Sequence, residues 1–170
     1  QEPTLDKRLP DFFKVLKDSK HQINKTCMIT NGTYLHQINL QELIDLGLNE
    51  LQVSIDTVDK RINDLTRKNT DLRLIMKNLV DVASQYPQLK LVFSTVINSA
   101  SIQGVNSLID FGETIRVSSY ILREVWDFLD EGEPVRNKDF KEWMANLSLA
   151  PKEFSTMQKN LEPHPAIHKI

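Results

Sequence analysis

The chain has 170 residues, 40% of them hydrophobic, which is enough for one apolar core of single-domain size and too few for two large domains. With 21 basic against 23 acidic residues the formal charge is −2, which supplies no broad positive field for nucleic acid or an anionic membrane, and no run approaches the roughly 18 apolar residues of a membrane span. The start, Gln1-Glu2-Pro3, is no secretory signal and reads as internal to a longer chain; a cytoplasmic location is expected, and the one cysteine, Cys27, excludes an internal disulfide or a multi-thiolate metal site built from this chain alone.

In chain order, Leu9, Phe12, Phe13 and Leu16 give the i, i+3, i+4, i+7 stripe of an amphipathic helix, with Lys14, Lys17 and Asp18 opposite. Asn24 to Thr30 is a short β-branched and apolar run stopped by Asn31-Gly32, as expected of a buried strand ending at a turn. Leu40, Leu43 and Ile44 predict a short helix closed by Gly47. Glu50 to Asp56 alternates Leu51, Val53, Ile55 with Gln52, Ser54, Asp56, so the polar three are expected on one face of a strand. Lys60 to Lys68 is charge-rich and reads as a solvated loop or the start of a helix. Leu72, Ile75, Met76, Leu79, Val80 and Ala83 predict the longest helix, ended by Pro87. Leu89 to Asn98 is again a strand, with Leu91, Phe93, Thr95 and Ile97 on one side and Val92, Ser94, Val96 and Asn98 on the other. Ile102, Val105, Leu108 and Ile109 make a further helix. A weaker strand within Thr114 to Leu122 is favoured over a helix running from Tyr120 through Leu129. Beyond Glu131-Gly132-Glu133-Pro134 lies one amphipathic helix around Phe140, Trp143, Met144 and Leu147, and then a tail rich in proline and histidine.

Helices alternating with strands are the grammar of right-handed βαβ units, so the predicted class is α/β with a parallel sheet of about four strands. Residues 1–133 form the predicted partial (β/α) barrel and 134–170 a C-terminal helical extension. Parallel strands are normally apolar on both faces, so the polar ends Thr30-Asn31, Ser54-Ile55-Asp56 and Thr95-Val96-Ile97-Asn98 stand out, because ligands gather at the C-terminal rim of such sheets. Polar turn residues at strand ends are the competing, purely structural reading.

The order Glu2-Pro3, then Ile29-Thr30-Asn31-Gly32-Thr33, then Val53-Ser54-Ile55-Asp56, then Thr95-Val96-Ile97-Asn98 resembles the radical S-adenosylmethionine (radical SAM) family. There a GxEP motif follows the second strand, a TNG turn the third, and the fourth and fifth strands read "v-S-i-D" and "t-v-i-N". The resemblance implies a six-stranded partial barrel, of which this chain carries strands three to six. It also implies a [4Fe–4S] cluster that reduces S-adenosylmethionine to methionine and a 5′-deoxyadenosyl radical, an oxidoreductase-type chemistry on a small-molecule or peptide substrate. By position, Gln1, Glu2 and Pro3 match the motif that meets the methionine amine, and Thr30 and Asn31 match the third-strand rim. Ser54 and Asp56 match positions near the ribose or the methionine carboxylate, and Asn98 matches the fifth-strand end near the adenosyl group.

The sequence departs from the family in one respect. The family's cluster hangs from three cysteines, usually CxxxCxxC, and Cys27 alone cannot hold it. Cys27 itself reads as a small buried thiol inside a strand. The expectation is therefore a fragment of a radical SAM enzyme whose cluster ligands lie in another segment. The alternative is a cluster-less, non-catalytic barrel domain that binds a small ligand or a partner protein. Either way the Asn24 to Thr30 strand is expected at an open sheet edge, free to pair with the missing segment or another chain. His21, His36, His164 and His168 share no ligand spacing. Glu131 to Pro134 reads as a turn, and the sequons at Asn24, Asn31 and Asn146 carry no weight unless the protein is secreted. Arg123 and Glu124 fit either the end of the sixth strand, within reach of a ligand, or an ion pair on a solvated helix.

Overall fold

Each strand of the sheet pairs in parallel with the next one in the chain. In the computed structural model, which describes residues 2–19, 23–67, 70–97 and 101–124, β1 (Cys27–Thr30), β2 (Glu50–Ser54), β3 (Lys90–Ile97) and β4 (Ser119–Glu124) lie side by side in that order. Between and before them run α1 (Leu9–Asp18), α2 (Leu40–Asp45), α3 (Lys60–Thr66), α4 (Leu72–Gln85) and α5 (Val105–Thr114). An unbroken sequential order is that of a barrel wall, whereas a doubly wound sheet reverses its order at a switch point.

Local chemistry starts the helices. Asn39 Oδ1 accepts from the Glu42 amide at 3.2 Å, Asp59 Oδ1 from the amides of Arg61 and Ile62 at 2.7 and 3.3 Å, and Asp71 Oδ1 from the Leu74 amide at 3.1 Å. Each satisfies N–H groups that a helix start leaves without partners.

Register divides the sheet into two faces. Met28, Leu51, Val53, Leu91, Phe93, Ile97, Tyr120 and Leu122 join one apolar cluster with Leu43, Leu72, Ile75, Leu79 and Leu108 of the helices. Their alternates, Ile29, Gln52, Ser54, Val92, Ser94, Val96, Ser119, Ile121 and Arg123, occupy the other face, and none of them belongs to that cluster. We call this the inner face. The alternation expected for β2 and β3 is therefore the alternation observed.

The cluster is tightest where α5 meets β4. Phe93 lies between Phe111, stacked with centroids 6.3 Å apart, and Tyr120, edge-on at 5.9 Å. The Tyr120 hydroxyl donates to the Ile109 carbonyl at 3.1 Å, which brings the ring over Gly112; a Cβ there would overlap the hydroxyl and sit 2.9 Å from Cζ. With Phe93 behind it the ring has nowhere to retreat. Gly112→Ala is therefore expected to destabilise the protein by about 2 kcal/mol through overpacking. Pairing it with Tyr120→Phe, which deletes the overlapping oxygen, should recover part of that loss in a denaturant melt; a fully additive double variant would contradict the assignment.

Several expectations change. β1 starts at Cys27 rather than Asn24, and Cys27 is exposed, not buried, because β1 is an outer strand of the described sheet with no neighbour beyond it. Only Leu9 and Phe13 of the α1 stripe are buried; Phe12 and Leu16 remain 50% and 40% exposed, and the Arg8 guanidinium lies 5.5 Å from the Phe12 ring centre. Within 60–68, Lys60 to Thr66 is a helix. β4 extends to Glu124, so residues 120–124 are strand and not the start of a helix. Asp56 lies past the end of β2, which closes at Ser54. No described helix is long and apolar enough to cross a membrane. The helix expected around Phe140 and the extension 134–170 lie outside the described residues.

Candidate functional site

The turn Thr30-Asn31-Gly32-Thr33 leaves the C-terminal end of β1 and is held from two sides. In front, the Glu2 carboxylate receives four hydrogen bonds: Thr30 Oγ1 and Thr4 Oγ1 donate to Oε1 at 2.6 Å each, the Thr4 amide to Oε1 at 3.2 Å, and the Asn31 amide to Oε2 at 2.8 Å. Pro3, with no N–H to satisfy, begins the short 3-10 turn Pro3–Leu5 that folds Thr4 back onto Glu2. Burial pushes the Glu2 pKa up, but the bonds from Thr30, Thr4 and Asn31 outweigh it and hold the carboxyl below the usual glutamate value.

Behind the turn stands Asn78 of α4. Its Nδ2 donates to the carbonyls of Gly32 at 2.8 Å and Thr33 at 3.0 Å. Two carbonyls in front of one amide group fix which end is the nitrogen, and Oδ1 is left buried without a partner among the described residues. Gly32 has φ +81°, and a Cβ there would press on Val53 Cγ1 at 3.1 Å and Ile75 Cγ2 at 3.2 Å, so the glycine is needed for conformation and for space. Inside the turn the Gly32 amide donates to Thr30 Oγ1 at 3.1 Å and the Thr33 amide to Asn31 Oδ1 at 2.9 Å.

The second part of the rim joins the ends of β2 and β3. Asp56 is 6% exposed; its Oδ1 accepts from the Val96 amide at 2.9 Å, and its Oδ2 meets Arg67 Nε at 2.6 Å. Thr95 Oγ1 donates to the Ile55 carbonyl at 2.7 Å, closing the gap between the strands. Arg67, reached through α3, thus neutralises Asp56 with one N–H. Its two Nη groups make no hydrogen bond among the described residues and stand at the rim as donors.

Of the residues expected at a ligand site, Glu2, Thr30 and Asn31 come together directly, with Pro3 shaping their junction. Ser54 and Asp56 lie at the C-terminal end of the neighbouring strand, Ser54 with its hydroxyl free of partners among the described residues. Gln1 and Asn98 lie outside the described residues. Two participants escaped the sequence reading. Arg67 sits in a charge-rich stretch, where one cation looks like any other. Asn78 lies three residues after Ile75 and four before Val82, inside the buried stripe of α4, and that spacing was the available signal. Among the described residues no three metal-ligating side chains converge.

A wall of parallel strands in chain order, with its polar groups gathered at the C-terminal rim, is the wall of an α/β barrel. The chain belongs to the radical SAM superfamily, whose sequence profile matches residues 1–111. A curated relative, the probable GTP 3′,8-cyclase of Methanococcus aeolicus, is 30% identical over 112 residues, 65% of this chain and 36% of that protein. Among solved structures, a crystal structure of Streptococcus suis SuiB is similar with a TM-score of 0.63 and 14% identity, covering 95% of this chain and 36% of SuiB. SuiB bound to S-adenosylmethionine gives a TM-score of 0.62 at the same identity, covering 93% and 34%. At that identity the likeness is one of fold, a partial barrel. The chain spans about a third of the length of each of these proteins.

Proposed function

We propose that this chain is the S-adenosylmethionine-binding part of a radical SAM enzyme whose cluster thiolates come from outside these 170 residues. The observation that carries the proposal is the rim itself: a rigid turn beside the Ser54 hydroxyl and the uncommitted N–H groups of Arg67. An amino-acid zwitterion joined to a ribose needs neutral hydrogen-bonding groups and one cation for its carboxylate, and these residues supply that set. When bound, the cofactor supplies the radical that begins the reaction. This chain's own residues bind and orient. In this reading Arg67 meets the carboxylate and Ser54 a polar edge, while backbone groups near Glu2 and Pro3 face the amine. The Glu2 carboxylate acts one step removed, because its oxygens already hold Thr4, Thr30 and Asn31. The residues present do not fit the cluster, since one exposed cysteine is no ligand set for it.

Calorimetric titration of the full chain with S-adenosylmethionine should give saturable binding, weakened about tenfold by Arg67→Gln, the loss of one charged hydrogen-bonding group. Absence of saturable heat from the unaltered chain would remove the proposal. The lone cysteine also suits a second reading, a cluster-less barrel domain that performs no radical chemistry. Cofactor binding without 5′-deoxyadenosine release from the parent protein, after anaerobic supply of iron and sulfide, would favour it.

A further inference from the structure

The turn at the end of β1 carries the chain's one Asn-Gly pair, Asn31-Gly32, and such a pair is chemically reactive. A glycine after asparagine has no Cβ to shield its amide nitrogen from the asparagine side chain. In this fold no other residue at position 32 relieves the pair. Gly32 has φ +81°, and a Cβ on it would press on Val53 Cγ1 at 3.1 Å and Ile75 Cγ2 at 3.2 Å. Asn31 has its own structural task, since its Oδ1 accepts from the Thr33 amide at 2.9 Å.

The reacting groups are occupied while the turn is closed. The Gly32 N–H is buried and donates to Thr30 Oγ1 at 3.1 Å. That acceptor is itself fixed, because the Thr30 hydroxyl proton is committed to Glu2 Oε1 at 2.6 Å. Behind the turn, Asn78 Nδ2 grips the Gly32 and Thr33 carbonyls at 2.8 and 3.0 Å. The Gly32 nitrogen therefore meets a base in solution only when these bonds part.

We propose that Asn31-Gly32 is a latent deamidation site, gated by opening of the turn, with Glu2, Thr30 and Asn78 as the groups that hold it shut. In the open turn a base in solution takes the Gly32 amide proton and the nitrogen bonds to Asn31 Cγ. The Cγ–Nδ2 bond then breaks, and ammonia leaves with a proton drawn from water. A second water opens the cyclic imide at either carbonyl, giving aspartate or isoaspartate, and nothing is oxidised or reduced. Isoaspartate routes the main chain through the former side chain and lengthens it by one carbon, so the Gly32 and Thr33 carbonyls cannot both stay on Asn78 Nδ2. The rim at the end of β1 thus has a chemical lifetime, set by how often α4 lets the turn open, whatever ligand the barrel holds.

The test is peptide mapping of the full chain aged at mildly alkaline pH, with aspartate and isoaspartate at position 31 followed against time. Asn31 should convert at least about 100-fold more slowly in the folded chain than in the same chain unfolded in guanidinium. Asn78→Ala removes the grip from behind and should speed the folded-state reaction about tenfold. Thr30→Val removes the acceptor in front and should do the same, which keeps the comparison intact if one of the two variants fails to fold. Gly112→Ala acts at β4, the opposite end of the sheet from β1, and should leave the rate within about twofold of the parent. Hydrogen exchange at the Gly32 amide should rise in step with deamidation, because both begin with removal of the same proton. Equal rates in the folded and unfolded chain would overturn the proposal. So would an unfolded chain that does not convert at Asn31, or equal acceleration by Gly112→Ala and Asn78→Ala.

Discussion

Replacing Glu2 with alanine should destabilise the protein by about 3 kcal/mol, because the substitution strands two buried hydroxyls and two amides at once. For a domain of this size that is a fall of roughly 10 °C in the melting temperature. Glu2→Gln keeps the shape and loses the charge, so about half of that loss is expected. Cofactor affinity should drop in both, since the Thr30-Asn31 turn loses its front support. The pH dependence follows from the lowered pKa of the folded carboxyl. The stability contributed by ionised Glu2 is fully present above the ordinary glutamate value of the unfolded chain, and it disappears as pH falls through the lower value of the folded state. Urea melts from neutral pH downward should show Glu2→Gln converging with the parent at the acid end, while Glu2→Ala keeps the part of its loss that comes from missing acceptors; a constant gap between Glu2→Gln and the parent at every pH would contradict this account.

The second large effect belongs to Asp56. Asp56→Ala leaves the Arg67 guanidinium without its counter-charge and the Val96 amide without an acceptor, and a loss of about 3–5 kcal/mol is expected. Arg67→Leu alone should cost a similar amount, by leaving a carboxylate that is 6% exposed unpaired. The double variant Asp56→Asn with Arg67→Leu retains an acceptor for Val96 and removes both charges, so its loss should fall well below the sum of the single losses. Denaturant melts of the four proteins measure the coupling directly, and additivity would show that the pair is not a unit.

Much of this architecture can be read from the sequence where one periodicity dominates. The alternation in Leu51 to Ser54 and Leu91 to Ile97 assigns every side chain to its observed face, since a strand allows two directions. Where tertiary position decides, the sequence is silent. Cys27 looks like a core thiol because its neighbours are β-branched and apolar, but it stands on an outer strand, and exposure there is a property of the sheet. Phe12 and Leu16 follow the helical stripe faithfully and still face outward, because α1 buries less of its circumference than its pattern offers. For the rim, the polar strand ends mark Thr30, Asn31 and Ser54, whereas the pairing of Asp56 with Arg67 spans eleven residues and a helix. Nothing local announces it. For Arg123 the sequence allows the end of a strand or a solvated helix, and the strand Ser119–Glu124 sets it opposite Val96.

Asn78 also limits how the rim can move. An α-helix slides or rolls past its neighbours in steps set by its own turn, about 5.4 Å along the axis, and any such step would tear Nδ2 from both Gly32 and Thr33. Turn and helix therefore share one opening event: the loop at the end of β1 cannot breathe while the fourteen residues of α4 stay docked. A surface turn, ordinarily among the first segments of a protein to loosen, has been given the persistence of the core.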